Sequence, residues 1–220
     1  HHDREQVLLH RLLSDAHVRP RAQAALTRYD TRFVHAPAHH AALSALQDRH
    51  AALAPTVRLV RRWFSAQLLL GHVGPETLDL LCAAVFLTNA HAVPATGLHG
   101  FVRVLTLLAH WDWREVPLLL PLENATRLAH QRKAALSDGG VSALPSERAP
   151  TFPAAQRADA EQHFRAMRAR DPAYRHYTWV VATEHDTDAK AWMHAAPSAM
   201  VADGVRQLAR RAALALEHDA

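Results

Sequence analysis

The segment PTVRLVRRWFSAQLLLGHVGPETLDLLCAAVFL, residues 55–87, carries the two clearest helix patterns in the sequence. Its first half predicts a helix over 57–70, in which apolar residues recur at spacings of three and four, as in an amphipathic helix. Thr56 is placed to act as an N-cap, because its hydroxyl can accept a hydrogen bond from a free backbone N–H group of the first turn. Gly71 can end the helix, since glycine tolerates a positive φ.

The predicted helix 57–70 has an apolar face and a basic face. The apolar row and its flanks comprise Val57, Val60, Phe64, Leu68, Leu59, Trp63, Ala66 and Leu70. Arg58, Arg61 and Arg62 share the opposite face, because residues three and four apart lie side by side on a helix. These guanidinium groups can make forked contacts to phosphate, or they can bridge to Asp and Glu of neighbouring helices. The residues themselves leave both interpretations open.

The second half of the segment predicts a helix over 75–89. Pro75 suits the first helical position, and Glu76 lies where the positive end of the helix dipole favours an acid. Residues 80–87 are apolar on every side, so this helix should lie at the centre of a bundle. Cys82 is then a small buried hydrophobe.

Leu and Ala at helical spacing continue through most of residues 1–136, where β-branched alternation is nearly absent. Further helices are predicted over 4–14, 19–29, from Pro37 onwards, 97–110, 159–169 and 197–216. Residues 111–122 form an extended segment that packs on the bundle, and YTWVVAT, residues 177–183, is the one good strand pattern. A lone strand belongs either to a fragment of a sheet or to one that finds its pairing elsewhere in the chain.

The stretch 137–158 gathers Gly, Pro and Ser with little periodicity, which is the composition of a connector. We therefore predict a mainly α chain that divides into a helical part over 1–140, a connector over 141–158 and a part over 159–220 that combines helices with the one strand pattern.

Composition indicates a folded protein, since 49% of the 220 residues are apolar and 21% are charged. The 25 Lys and Arg against 21 Asp and Glu leave a net charge of +4, which permits an anionic partner without requiring one. Cys82 is the only cysteine, which excludes an internal disulfide and a thiolate metal cluster. The longest apolar run, 80–87, is far shorter than the ~20 residues of a membrane-spanning helix, so no membrane contact is expected.

Asp186 and Asp188 have the spacing of the paired carboxylates that hold two metal ions in nucleotidyltransferases. However, no Gly-Ser turn precedes them, and no third carboxylate lies on an adjacent strand pattern. A polar turn that ends the strand is therefore favoured over a catalytic site. The nucleotide-binding loops of P-loop and Rossmann proteins and the serine elbow of hydrolases are absent from the sequence.

Two further groups of residues could bind a ligand, but their patterns are also typical of surface or core residues. His35, His39 and His40 approach a zinc-binding spacing, but a proline lies between them and no HExxH motif is present, which favours a surface or packing role. Trp111 and Trp113 could form a shelf for stacking on RNA bases, although two tryptophans beside an apolar helix more often belong to the core. No metal ion or other cofactor is expected.

Three unlike segments occur together in the order found in one protein family. They are 55–87, then GFVRVLTLLAHWDWREVPLLLPL at 100–122, then YTWVVATEHDTDAKAW at 177–192 followed by PSAMVADGVRQLARRA at 197–212. They resemble the C-terminal part of the nucleolar RNA-associated protein family, Nrap. The lead-in at 29–53 is also similar, so the resemblance covers about 29–216.

The resemblance implies a helical domain of the poly(A)-polymerase/oligoadenylate-synthase type at 1–140, followed by the start of a smaller α/β domain. It further implies a degenerate nucleotidyltransferase relative that is not an enzyme and that acts as a scaffold in ribosome biogenesis. The expected location is the nucleolus, and the expected setting is pre-rRNA processing in the small-subunit processome. Other processome proteins are the expected partners, together with pre-rRNA or small nucleolar RNA.

The resemblance also bears on the basic face of the helix 57–70, because related helical domains turn this helix towards the nucleotide or nucleic-acid cleft. Arg58, Arg61 and Arg62 are therefore the candidate residues for binding RNA or phosphate. The alternative function is the helical half of an active nucleotidyltransferase whose palm domain lies upstream. No catalytic residue is assigned in this chain.

Overall fold

The structure is a computed structural model, and it describes residues 2–88, 93–137, 150–192 and 196–218. The protein is mainly α-helical, which confirms the predicted fold class. Its elements in chain order are α1 (His2–Leu12), α2 (Arg19–Asp30), α3 (Ala36–Arg49), α4 (Leu53–Ala66), α5 (Pro75–Leu87), α6 (Gly97–His110), β1 (Leu118–Leu120), α7 (Leu122–Ser137), α8 (Ala154–Arg170), β2 (Val181–Thr183) and α9 (Ala199–His218). They form two compact units, His1–Ala41 and Ala42–Ala220. The division into domains at 1–140, 141–158 and 159–220 stays a prediction.

In the first unit, α1 and α2 pack against each other. Leu26 and Tyr29 of α2 are buried, and the ring of Tyr29 lies 4.9 Å from that of Phe33. Phe33 belongs to a π-helical turn, Thr31–His35, which leads into α3. The helices predicted over 4–14 and 19–29 are thus confirmed to within two residues, and the third begins one residue before the predicted Pro37.

The helix α4 begins and ends earlier than its sequence suggests. Pro55 lies inside the first turn, where the missing N–H group of proline would have no helical partner in any case. The prediction of Thr56 as an N-cap was therefore wrong: its buried hydroxyl donates to the carbonyl of Ala52 at 2.7 Å. The prediction that Gly71 ends the helix was also wrong, since α4 ends before Leu68, whose φ is 60°.

The first turn of α4 crosses the first turn of α6 at very short range. Gly97 and Gly100 face Pro55 and Thr56 there, and the Thr56 hydroxyl lies 3.3 Å from the carbonyl oxygen of Gly97. A side chain at either glycine would overlap α4, so the crossing depends on these two residues having none.

The helix α5 is the centre of the second unit, as predicted from its apolar surface. Every residue over 80–87 is buried, and Cys82 among them is fully enclosed. Burial raises the pKa of the Cys82 thiol, because the thiolate would lose its hydration there. The helix ends at Leu87, two residues before the predicted end. Cys82 is therefore a neutral core side chain, as predicted.

The strands β1 and β2 pair in parallel, with Leu118 opposite Val181 and Leu120 opposite Thr183. The strand predicted over 177–183 is confirmed only in its last three residues, and its partner β1 lies in the predicted extended segment 111–122. The idea that the strand finds its pairing elsewhere in the chain is thus confirmed. The connection between the strands contains α7 and α8, consistent with the long crossover that parallel strands need.

The helix α9 packs along α6, and the guanidinium of Arg206 donates to the carbonyl of Ala109 at the end of α6. The helix predicted over 159–169 is α8, which begins five residues earlier, at Ala154. The connector residues 141–149 lie outside the described part of the chain. None of the helices in the described ranges has the length and apolar character that spanning a bilayer requires.

Candidate functional site

The arginine stripe of α4 (Arg58, Arg61 and Arg62) lies opposite the face that anchors the helix. Val60 and Phe64 are almost completely buried, whereas all three arginines are exposed. α4 itself contains no acidic residue. The position of the stripe follows from helical periodicity alone, because residues one or two positions away from Val60 point to other sides of the helix than the buried row.

The structure divides the arginine stripe into two parts. The guanidinium of Arg61 donates from one nitrogen to both carboxylate oxygens of Asp79 on α5, at 2.7 and 2.9 Å. The Arg61 side chain keeps 44% of its surface exposed and that of Asp79 keeps 16%. The bridging interpretation is therefore correct for Arg61, although an ion pair this open contributes only ~0.2–1 kcal/mol to stability.

Arg58 and Arg62 differ from Arg61 because neither makes an ion pair with the residues that the structure describes. They lie four residues apart, so their side chains leave the same strip of helix surface. Two guanidinium groups in this arrangement can each present a fork of N–H donors to a phosphate or carboxylate. They are the two arginines of the stripe that make no ion pair with the described residues.

The turn that contains Asp186 and Asp188 follows β2, as the polar-turn interpretation predicts. The Asp186 carboxylate is buried and accepts the backbone N–H groups of Lys190 and Ala191, both at 2.9 Å. Its backbone also closes the turn by bonding to Thr183. Asp186 thus organises its own loop.

Asp188 forms an ion pair with Lys190. Burial acts to raise the pKa of the Asp188 carboxyl, but the hydrogen bond from Lys190 and the charge of its ammonium group help to outweigh burial, and the pKa is lowered. Asp188 is therefore held as a carboxylate beside an ammonium group.

Glu184 has a structural role that the sequence did not predict. Its buried carboxylate accepts the backbone N–H groups of Glu123 and Asn124 at 3.0 and 3.1 Å, in the first turn of α7. It thereby caps a helix from about sixty residues away in the sequence, where local cap patterns do not reach. The only signal was an acid directly after a strand.

The two tryptophans and the three histidines singled out in the sequence lie in different parts of the structure. Trp111 and Trp113 are both buried, which confirms the core interpretation, and the Trp111 indole donates to the carbonyl of Val116 at 2.8 Å. The histidines at 35, 39 and 40 lie around the start of α3. Within the ranges that the structure describes, no three His, Cys, Asp or Glu side chains are placed to hold a metal ion.

Arg168, near the end of α8, is a second residue that sequence reasoning missed. Its guanidinium donates to four backbone carbonyls: those of Arg114 at 2.9 Å, Thr178 at 2.8 Å, Trp113 and Tyr177. The same group lies over the rings of Phe164, Tyr174 and Trp113. Burial lowers the pKa of Arg168, although an arginine stays charged in proteins.

Comparison with known proteins identifies the family. The family model described as "Nrap protein PAP/OAS1-like domain 5" matches residues 50–220, more than half of the chain. The chain belongs to the Nrap family. A second Nrap model, described as "nucleotidyltransferase domain 4", matches residues 1–48, so that the two matches meet at the end of α3. The resemblance drawn from 55–87, 100–122 and 177–212 is thus confirmed.

Curated relatives of this Nrap chain include proteins with two different names. U3 small nucleolar RNA-associated protein 22 is 28% identical over 86% of the chain in Schizosaccharomyces pombe and 25% identical over 84% of it in Saccharomyces cerevisiae. Nucleolar protein 6 of Homo sapiens is 30% identical over 86% of the chain. The chain spans only 14–15% of the length of these three relatives.

Proposed function

We propose that this Nrap chain is a non-catalytic scaffold segment of a ribosome-biogenesis factor. The observation that carries the proposal is the use of the Asp186 and Asp188 carboxylates, which respectively hold backbone N–H groups and pair with Lys190. A two-metal nucleotidyl transfer needs paired carboxylates directed at the metal ions. Here the Asp186 and Asp188 pair instead stabilises a turn.

The proposed setting rests on the names of the relatives, U3 small nucleolar RNA-associated protein and nucleolar protein. We place the protein in the nucleolus, in pre-rRNA processing by the small-subunit processome. Its proposed partners are other processome proteins and pre-rRNA or small nucleolar RNA. Arg58 and Arg62 are the proposed phosphate contacts, because both are exposed and unpaired among the described residues.

The scaffold proposal predicts no nucleotide incorporation. Full-length protein incubated with Mg²⁺, nucleoside triphosphates and a labelled RNA primer should leave the primer at its original length on a denaturing gel, because the Asp186 and Asp188 carboxylates bond to backbone N–H groups and to Lys190 instead of facing metal ions. A poly(A) polymerase serves as the positive control. Template-independent extension that Asp186→Ala abolishes would overturn the proposal.

A second candidate function is the helical half of an active nucleotidyltransferase, favoured by the match of residues 1–48 to a nucleotidyltransferase domain model. In that case the metal-binding carboxylates belong to a palm domain upstream of α4. The same assay separates the two candidates. Extension that persists in the Asp186→Ala variant would support this second candidate, since catalysis would then depend on other carboxylates.

Because Arg61 is paired and Arg58 and Arg62 are not, substitutions in the arginine stripe should affect two different properties, RNA binding and stability. Arg58→Ala with Arg62→Ala should weaken RNA binding while changing the free energy of unfolding by no more than about 0.5 kcal/mol, as for exposed residues without partners. Arg61→Ala should leave binding nearly unchanged and lower stability by at most about 1 kcal/mol, through loss of the Asp79 ion pair. Fluorescence anisotropy and urea denaturation measure the two effects. A double variant that loses stability and keeps its RNA affinity would contradict the assignment.

A further inference from the structure

A second basic surface lies at the end of α8, in a segment that the α4 proposal does not use. Residues 165–177, RAMRARDPAYRHY, contain four arginines and one acidic residue, Asp171. Arg170, Arg175 and His176 are exposed, and Tyr177 is half-buried. We call residues 170–177, which include the last residue of α8, the Asp171 loop.

The Asp171 loop is fixed by its only carboxylate. Asp171 is buried and accepts the backbone N–H groups of Arg175 at 3.0 Å, His176 at 2.7 Å and Tyr177 at 3.0 Å. The bond from His176, followed by those from Arg175 and Tyr177, lowers the pKa of this carboxyl, so the carboxylate stays ionised to a lower pH than an ordinary aspartate. A loop ordered before binding loses little entropy when a partner arrives.

The interior side of the loop is already occupied. Tyr174 adopts a φ of 54° and packs edge-on against Trp113, with ring centroids 5.4 Å apart. The guanidinium groups of Arg114 and Arg168 both lie over the Tyr174 ring, at 5.5 and 5.2 Å. Both cations have other partners, because Arg168 holds backbone carbonyls and Arg114 pairs with Asp203 at 2.6 Å.

The outward side of the loop carries charge that the fold does not use. Neither Arg170 nor Arg175 makes an ion pair within the described part of the chain. Arg170 lies in the last turn of α8, where the helix dipole favours a cation, but Arg175 lies beyond the helix and gains nothing from that dipole. Asp171 makes no ion pair with either arginine in this part of the structure, and its oxygens accept three backbone N–H groups.

We propose that the Asp171 loop binds single-stranded RNA, with Arg170 and Arg175 contacting backbone phosphates and the Tyr177 and His176 rings stacking on bases. RNA fits this surface better than an acidic protein, because two aromatic rings, those of His176 and Tyr177, follow Arg175 directly in the chain and lie 6.3 Å apart. Aromatic rings stack on the exposed bases of a single strand, whereas a carboxylate-rich peptide would use the cations alone. The proposal is independent of the α4 stripe.

The test compares two double variants that remove equal charge. Arg170→Gln with Arg175→Gln should weaken binding of a fluorescein-labelled oligouridine about tenfold at physiological salt and reduce the slope of log affinity against log salt by about 1.4, since each phosphate contact contributes about 0.7. The matched control is Arg210→Gln with Arg211→Gln on the exposed face of α9, which should change affinity less than about twofold. Thermal melting of both variants checks that the fold is retained.

Three results would overturn the proposal. Equal losses in the two double variants would mean that only net charge matters. Equal affinity for oligouridine and for an abasic ribose-phosphate strand of the same length would exclude base stacking. Competition by poly-glutamate as strong as that by RNA would indicate an acidic protein partner. The Arg58→Ala with Arg62→Ala variant, measured in the same series, tests the α4 proposal separately, so either surface can fail without the other.

Discussion

Arg168→Met should lower the free energy of unfolding by at least about 3 kcal/mol, because it leaves carbonyl oxygens of two chain segments without their donor. Those segments are 113–114, which precedes β1, and 177–178, which precedes β2. Methionine fills much of the space of the arginine stem but donates no hydrogen bond. Each buried carbonyl left unsatisfied costs about 1–3 kcal/mol.

Two further variants separate the charge of Arg168 from its shape. Arg168→Lys keeps the positive charge but replaces a planar fork by a single ammonium, so it should recover only part of the lost stability. Arg165→Met is the matched control on the same helix, since Arg165 is exposed and, among the described residues, its side chain bonds only to the Glu161 carbonyl one turn away. Its effect should stay within about 0.5 kcal/mol. Equal loss from the 165 and 168 variants in guanidinium denaturation would contradict the role assigned to Arg168.

The importance of Arg168 could not be predicted from sequence, and the reason is chemical. All four of its hydrogen-bond acceptors are backbone carbonyls, which every residue possesses, so no pattern of residue types marks them. Glu184 was missed for a related reason, since it caps α7 from a distant part of the chain. By contrast, the buried centre of α5 was predictable, because residues 80–87 are apolar on every side and any arrangement must bury them.

The candidate site was partly predictable for a similar reason. Helical periodicity places the three arginines of α4 on one exposed face, whatever surrounds the helix. It does not reveal which of them has an acid within reach, because Asp79 belongs to another helix. The start of α4 was predicted wrongly for a similar reason. The sequence around Thr56 is typical of an N-cap, but its hydroxyl bonds to the Ala52 carbonyl and lies against Gly97 of α6. Local pattern thus determined which residues share a face, and tertiary packing determined what they touch.

The contact of Thr56 with α6 leads to the second large effect. Gly100→Ala should lower the free energy of unfolding by at least about 3 kcal/mol, at the upper end of the range for overpacked cores. A Cβ atom at Gly100 would lie 2.0 Å from the Thr56 hydroxyl oxygen and 3.0 Å from both Cβ and Cγ2 of the same side chain. Thr56 is completely buried and its hydroxyl is bonded to Ala52, so it cannot rotate away without losing that bond. The helices must therefore move apart.

Gly204→Ala provides the matched control for this prediction, because Gly204 lies inside α9 and a Cβ atom there meets nothing within 4 Å. The same change in side chain should stabilise the protein there by about 0.5–1 kcal/mol, through the higher helix propensity of alanine. Adding Thr56→Ala to Gly100→Ala removes the nearest atom and should restore part of the lost stability, which a double-mutant cycle from urea denaturation would measure as coupling. Additive effects of the two substitutions would show that the strain at Gly100 does not arise from Thr56.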